Sequence, residues 1–305
     1  MKHFPEMPDS PTVSVCIVTY KARDLLRDCL NSLMQNTELI YEVIVVDNGS
    51  SDQISDMLFN EFPSVSLIEN PTNLGFTFPM NQALKKGKGR YLLQLNPDTL
   101  ILPQAIDQMV AFMEANPEIG ICGPKVLNRD RTMQKPCRRG EPTPMAVISY
   151  FLGLSTRFPN SKTFGGYLLN YLDEDEISAV AGVSGSCMLI RHEVVENIGY
   201  LDERFLAYQE DADICRRTRE AGWQVYYYPK AQIIHFGGQG GSGVEPYRSI
   251  IAWHKAYFQY YRKHLANDYF FAFNWIYYLA MLLKLIVALV VNYIRKDKIV
   301  STRRP

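Results

Sequence analysis

Glu42-Val43-Ile44-Val45-Val46-Asp47-Asn48-Gly49-Ser50-Ser51-Asp52 decides the fold: a β-branched run stops abruptly in an acid, a glycine and small polar residues. Consecutive Val and Ile predict a strand buried on both faces, and Asp-Asn-Gly ends it in a tight turn. A helix is expected next, near Ser51–Phe62. The same order recurs on either side. Val13–Thr19 (VSVCIVT) predicts a buried strand, and Leu25, Leu26, Cys29, Leu30 and Leu33 then recur at helical spacing. Val65–Glu69 and Tyr91–Leu95 predict strands, Pro79–Lys86 and Pro103–Ala115 helices, and Ile119–Gly123 opens another strand. Such alternation predicts an α/β fold, a mostly parallel mixed sheet flanked by helices. Ligands of such sheets bind beyond the carboxyl ends of the strands, so the residues just after each strand are the candidates for chemistry.

The remaining chain is consistent with one such domain and a tail. Its 305 residues, 47% hydrophobic and 21% charged, are enough for a large core and exclude a mainly disordered chain. A formal net charge of +0 argues against a general nucleic-acid binder, which carries a basic excess. None of the six cysteines forms a Cys-x-x-Cys pair or zinc-finger spacing, so they read as small apolar residues of a reducing compartment. Met1–Pro11 is polar and proline-rich with no apolar run, which predicts no secretory leader and a cytoplasmic location or a cytoplasmic membrane face.

Asn128–Asp175 is irregular and rich in Pro, Gly and aromatic residues; it is expected to pass over the active face. Ser184–Ile190 predicts a strand, His192–Ile198 and Glu210–Ala221 helices, Trp223–Tyr228 and Gln232–Phe236 two more strands, and Gly237–Gly243 a loop. Tyr269–Ile294 carries one charge, Lys284. As a helix it would be about 39 Å long, enough to cross a bilayer with tilt. A basic tail follows, with Arg295, Lys296, Lys298, Arg303 and Arg304 against Asp297, and a single crossing would carry it away from the cytoplasm. At 100° per residue Asn274, Tyr277, Tyr278, Lys284, Asn292 and Arg295 share one side. That stripe suits a helix lying in the interface or packed on the domain better than one that spans. The expected organisation is an extension over 1–12, a catalytic domain over 13–265 and a membrane-associating segment over 266–305.

The first strand runs into Thr19-Tyr20-Lys21, not a glycine-rich turn, which argues against a dinucleotide-binding domain; no phosphate-binding P-loop pattern occurs either. Asp47 can accept hydrogen bonds from a base or ribose, or simply belong to a capped turn. Asp98, in Asn96-Pro97-Asp98, can hold a divalent cation through oxygen, or cap the next helix. Glu210, Asp211 and Asp213 put three acids at a helix start; they suit the positive helix end, and an exposed one can take a proton from an attacking hydroxyl. His235 at a strand end, beside glycines, is a structural histidine or a metal ligand near a flexible lid. Lys135, Arg138 and Arg139 form a basic cluster, either solvated or able to grip the diphosphate of a lipid-linked acceptor.

In order and spacing these stretches resemble family 2 glycosyltransferases of the GT-A fold. The resemblance runs through Thr19-Tyr20, Val46–Asp52, Asn73-Leu74-Gly75-Phe76, Asn96-Pro97-Asp98, Gly185–Arg191, Asp202–Phe205, Glu210–Asp213, Arg216, Ala221-Gly222-Trp223 and His235 with its glycines. The Asn-Pro-Asp form looks like bacterial rhamnosyltransferases of surface-polysaccharide assembly. It implies an inverting transfer of a hexosyl or deoxyhexosyl unit from a nucleotide-diphospho-sugar to a saccharide hydroxyl, with a polyprenyl-diphosphate-linked glycan as the expected acceptor. Thr19, Tyr20, Asp47, Asn48, Asn73 and Gly75 would bind the nucleotide. Asp98 and His235 would hold Mn²⁺ or Mg²⁺, Asp211 would be the general base supported by Glu210 and Asp213, and Gly185 and Ser186 would join Arg138 and Arg139 on the acceptor side. Asn96 stands where relatives carry an acid, and Phe78-Pro79 where they carry small residues. Two other readings remain: an inactive sugar-nucleotide-binding scaffold, marked by loss of Asp98, Asp211 or His235, and a nucleotidyltransferase, marked by a Gly- and basic-rich loop after the first strand. The sequence bears neither mark.

Overall fold

A computed structural model describes residues 11–238 and 245–294. The N-terminal extension, most of the glycine loop and the basic tail lie outside the described residues. Strands β1 (Val13–Thr19), β2 (Tyr41–Asp47), β3 (Ser66–Glu69) and β4 (Tyr91–Leu95) are parallel and stand in the order β3-β2-β1-β4. Helices α1 (Arg23–Asn36), α2 (Ile54–Glu61) and α3 (Thr77–Lys86) connect them. Beyond β4 the sheet continues through β10 (Cys187–Arg191), β6 (Ile119–Leu127), β11 (Gln224–His235) and β5 (Thr99–Ile101). β10 runs against both of its neighbours, whereas β11 is parallel to β6, so the sheet is mixed. α4 (Ala105–Ala115), α7 (His192–Ile198) and α8 (Glu210–Glu220) serve this half, and β8 (Ser178–Ala179) pairs with β11.

Register explains why the candidates meet. Thr19 pairs with Asp47 and Ile17 with Leu95, so β1, β2 and β4 end along one edge. Leu95 pairs with Cys187, which brings Gly185 and Ser186 to the same edge, and His235 pairs with Thr99, one residue beyond Asp98. All six cysteines are buried and free, and burial pushes thiols such as Cys137 up to about 11.

Three elements differ from expectation. The two strands expected over Trp223–Phe236 are one, β11, whose register against β6 breaks between Tyr228 and Gln232. Pro229 lies in that break; without an N–H it cannot donate to the ladder. The middle excursion contains the two-residue strand β7 (Arg138–Arg139), paired with β9 (Gly182–Val183), and helices α5 (Pro144–Phe151) and α6 (Leu154–Arg157). A 19-residue helix, α9 (Pro246–His264), precedes α10 (Phe271–Ile294). Tyr257, Tyr260 and Tyr261 of α9 form a second core with Tyr167, Phe205, Ala212 and Tyr277.

Candidate active site

A cavity of about 370 Å³ lies along the edge where β1, β4 and β11 end and β10 begins. Tyr20, Asn48, Asn73, Gly75, Asn96, Asp98, Arg139, Gly185, Ser186, Glu210, Asp211 and His235 all line it. Residues scattered over more than two hundred positions of sequence therefore share one space.

One end is organised by Asn48. Its Nδ2 donates to Asn73 Oδ1 at 3.1 Å and Gly75 O at 2.6 Å, and its Oδ1 accepts from Leu74 N at 3.1 Å. The side chain is spent on shaping the 73–75 loop. Gly75 needs its lack of a Cβ twice over: φ is +90°, and a Cβ would stand 2.7 Å from the Leu206 carbonyl oxygen. Thr19 is buried at the end of β1 with Oγ1 lacking a hydrogen-bond partner. Asp47 does not line the cavity; its Oδ1 accepts from Ser50 N at 3.1 Å, holding the turn after β2.

Asp98 Oδ1 and His235 Nε2 are 3.1 Å apart and both side chains are buried. Gln134 Nε2 donates to the His235 carbonyl at 2.6 Å, which turns its Oε1 toward His235 Nδ1 at 3.2 Å. Nδ1 therefore donates to Gln134, which leaves Nε2 as the ring atom that faces the carboxylate. With Nε2 unprotonated the pair is two ligand atoms on one side of the cavity; with Nε2 protonated it is a direct ion pair. An oxygen and a neutral imidazole nitrogen so oriented fit a divalent metal. Among the described residues no group of three His, Cys, Asp or Glu could enclose such an ion, so its other ligands would come from a bound diphosphate.

Asp211 stands in the first turn of α8. Its Oδ2 accepts from Arg139 Nη2 at 2.5 Å and Gly185 N at 3.0 Å, and its Oδ1 from Ala212 N at 2.8 Å. A carboxylate offers about four lone-pair positions, so one remains for a hydroxyl. Tyr208 and Gln209, just before it, are both left-handed, with φ of 69° and 62°. Side chains with a Cβ avoid that region, and such strain is found where geometry is held for function. Glu210 is buried with Oε2 unpartnered. Burial, then the adjacent Asp211 charge, pushes it up to about 8, which favours its protonated form at neutral pH.

A family model described as glycosyl transferase family 2 matches residues 14–199, more than half of the chain. The chain belongs to glycosyl transferase family 2. A second model, glycosyl transferase family group 2, matches residues 166–295. The chain is 28% identical over 253 residues to the N-acetylglucosaminyl-diphospho-decaprenol L-rhamnosyltransferase of Mycobacterium tuberculosis, covering 79% of this chain and 81% of that one. It is 26% identical to the low-salt glycan biosynthesis hexosyltransferase Agl10 of Haloferax volcanii, over 73% of this chain and 66% of that one. Among solved structures it superposes on GalNAc-T7 with UDP, GalNAc and Mn²⁺ at TM-score 0.58 and 15% identity, over 83% of this chain and 48% of that one. The mannosyltransferase PcManGT of Pyrobaculum calidifontis with GDP-Man and Mn²⁺ follows at 0.57 and 16%, over 86% of this chain and 68% of that one. At those identities the structures establish the fold. The protein is a glycosyltransferase.

Besides Thr19 and Asp47, two expected site residues of this glycosyltransferase lie outside the cavity lining. Arg138 is buried; it donates to Leu172 O at 2.6 Å and Asp173 O at 2.5 Å and lies over the Tyr227 ring. Asp213 is fully buried and accepts from Arg217 at 2.8 Å, Lys263 at 2.5 Å and His264 at 2.7 Å, joining α8 to α9. Burial opposes its charge, but His264, Lys263 and Arg217 outweigh it and hold the carboxyl below its ordinary range. Asp213→Ala is therefore expected to cost about 3 kcal/mol in urea unfolding, because Arg217 and Lys263 lose their buried counter-ion and His264 its hydrogen-bond partner. The contribution is full above the unfolded carboxyl's pKa near 4 and is lost as pH falls through the lower folded value, so wild type and variant should converge in acid.

Sequence reasoning missed the opposite wall, Arg248, Ser249, Ala252, Trp253 and Tyr257 of α9. Arg248 Nη2 donates to Asn73 O at 3.0 Å, and Tyr20 Oη donates to Glu245 Oε1 at 3.3 Å, so the start of α9 covers the 73–75 loop. Signals for the helix were present: Pro246 at its first turn, Ile250, Trp253, Tyr257 and Tyr261 at helical spacing, and Arg262, Lys263 and His264 in its last turn.

Proposed function

We propose that the enzyme transfers a hexosyl or deoxyhexosyl unit, rhamnosyl foremost, from a nucleotide-diphospho-sugar to a saccharide hydroxyl with inversion. The proposed acceptor is a glycan on a polyprenyl diphosphate in surface-polysaccharide synthesis. The observation that carries this reading is one cavity lined both by Asp211, with a free lone pair, and by the Asp98–His235 pair. The rhamnosyltransferase and hexosyltransferase relatives support the sugar class and the lipid-linked acceptor. Residues 13–265 are the catalytic unit and 266–305 associate with the cytoplasmic face of the membrane.

Thr19, Tyr20, Asn73 and Gly75 hold the nucleotide end of the donor, with Asn48 and Asp47 setting the backbone around it. Asp98 and His235 would hold Mn²⁺ or Mg²⁺, supplying neutralisation of the departing diphosphate charge. The acceptor hydroxyl attacks the anomeric carbon from the Asp211 side. Its oxygen bonds to that carbon, the bond to the donor phosphate breaks, and the proton passes to Asp211. Gly185 N and Arg139 orient the carboxylate, while Glu210, protonated, can donate to a sugar hydroxyl.

A panel of nucleotide-diphospho-sugars, assayed by nucleoside-diphosphate release with and without Mn²⁺, tests the reading. A deoxyhexosyl or hexosyl donor should be turned over only with metal and with a lipid-linked saccharide. Release that ignores both additions, or no donor accepted at all, defeats it.

A further inference from the structure

We propose that α5 and the outward face of α10 form one membrane-binding surface, and that a polyprenyl-linked acceptor enters the cavity along the Tyr150–Trp253 wall bordering it. The acceptor half of this rests on the function proposed above; the surface does not.

α10 is amphipathic in reverse. Its polar residues face the protein: Asn274 Nδ2 donates to Ala266 O at 3.0 Å and its Oδ1 accepts from Tyr261, while Lys284 Nζ donates to His254 Nε2 at 3.0 Å. The Lys284 ammonium also lies 4.0 Å from the Phe151 ring centre and 4.2 Å from that of Trp253. Tyr277 and Met281 pack inward, and most of the other apolar side chains face outward. Trp275, Ile276, Leu279, Leu283, Ile286 and Val290 are each about half exposed or more, in a helix whose mean hydropathy reaches 2.0. Lys284 is the helix's one charge, so the outer face carries none.

α5, more than a hundred residues earlier, shows the same behaviour. Met145, Ile148 and Leu152, spaced on one helical face and its end, are 56%, 45% and 68% exposed. Lys284 joins the two patches, because its head lies in the corner formed by the Phe151 ring of α5 and the Trp253 ring of α9. The neighbour of Phe151, Tyr150, lines the cavity, as do Trp253 and Tyr257. A path of aromatic rings thus runs from the apolar surface into the site.

The occupant is a bilayer surface. A protein interface of this extent would carry a polar rim. Here a helix of about 36 Å presents hydrocarbon along its length, with the amphipathic ring of Trp275 on the same outward face. Directly after it the sequence supplies Arg295, Lys296, Lys298, Arg303 and Arg304, complementary to anionic headgroups. Spanning would strip Lys284 of His254, Phe151 and Trp253 and set it in hydrocarbon at a cost of about 3 kcal/mol, so the helix lies flat.

The test uses the full chain and vesicles of phosphatidylcholine with or without phosphatidylglycerol. Wild type should float with the vesicles, more with the anionic lipid. Ile148→Glu with Leu152→Glu should lower partitioning at least about tenfold, since two apolar side chains leave the interface. The same pair should lower kcat/KM at least as much for a long-chain polyprenyl-linked acceptor in vesicles, yet leave a short-chain soluble acceptor unaffected, which also shows that the variant is folded. Partitioning unchanged by the α5 substitutions overturns the proposal. So does a concentration-dependent dimer that those substitutions abolish while vesicle binding persists, since the face would then belong to a second copy. Lost vesicle binding with no lipid-linked acceptor ever used by wild type upholds the surface and removes the acceptor reading instead.

Discussion

Asp211→Asn is expected to lower kcat by about a hundredfold or more while leaving donor affinity nearly unchanged; Arg139 loses its counter-charge but keeps an oxygen to donate to, so the loss in urea stability should be smaller than that of Arg139→Ala. The substitution keeps the shape and the oxygen that can accept from Arg139 and Gly185 N, but removes the charge that draws the hydroxyl proton. The three hydrogen bonds on the carboxylate fix its direction; Tyr208 and Gln209, both left-handed, hold the helix start at that point. The contrast lies in Arg139. Arg139→Ala leaves Asp211 buried without its cation, so kcat and stability should fall together, the latter by about 3 kcal/mol. Kinetics of nucleoside-diphosphate release and urea unfolding on both variants separate the roles. Asp211→Asn with kcat within a few-fold of wild type would take the proton step away from this residue.

How far the sequence reached is seen by comparing neighbours. Asp47, Asp98, Gly185 and His235 were legible because each ends or precedes a buried run, and parallel register then brings strand ends to one edge. Arg138 and Arg139 were read as one basic cluster, yet adjacent residues of a strand point to opposite faces. Arg138 lies over Tyr227, and only Arg139 reaches the cavity. Asp211 and Asp213, two apart on a helix, likewise face different ways: one meets the cavity and the other the basic end of α9. Periodicity held that information for both pairs. What it did not hold was long-range: Glu141 meeting Arg216, Arg219 and Tyr260, or Lys284 meeting His254, are contacts of tertiary packing between segments that look polar and unremarkable alone. The polar stripe of α10 was visible; its partner was not, because the aromatic residues of α9 surround that helix on more than one side and blur its pattern.

Asp98→Ala should behave in the opposite way to Asp211→Asn: binding of the nucleoside diphosphate with Mn²⁺ is expected to weaken about a hundredfold, and metal dependence to disappear with it. The reasoning begins with a shortage. The described residues offer one carboxylate and one imidazole here, and Asn96, whose Nδ2 is 3.3 Å from His235 Nε2, adds no charge where an acid would. With two protein ligands, losing either leaves too little to retain the ion. The His235 ring is held ready from behind by Gln134, which takes the Nδ1 proton as a hydrogen bond. Gln134→Leu, which touches neither the ion nor the donor, should therefore weaken metal-dependent binding by about tenfold to a hundredfold, since the ring is then free to turn or to change tautomer. Calorimetric titration of the nucleoside diphosphate, with Mn²⁺ and with EDTA, reads all of this without turnover. Equal affinity with and without metal in wild type would assign the Asp98–His235 pair to the structure of the sheet edge. A metal-dependent affinity lost in Asp98→Ala, weakened in Gln134→Leu and kept in Asp211→Asn would separate the ion's site from the proton's within one cavity.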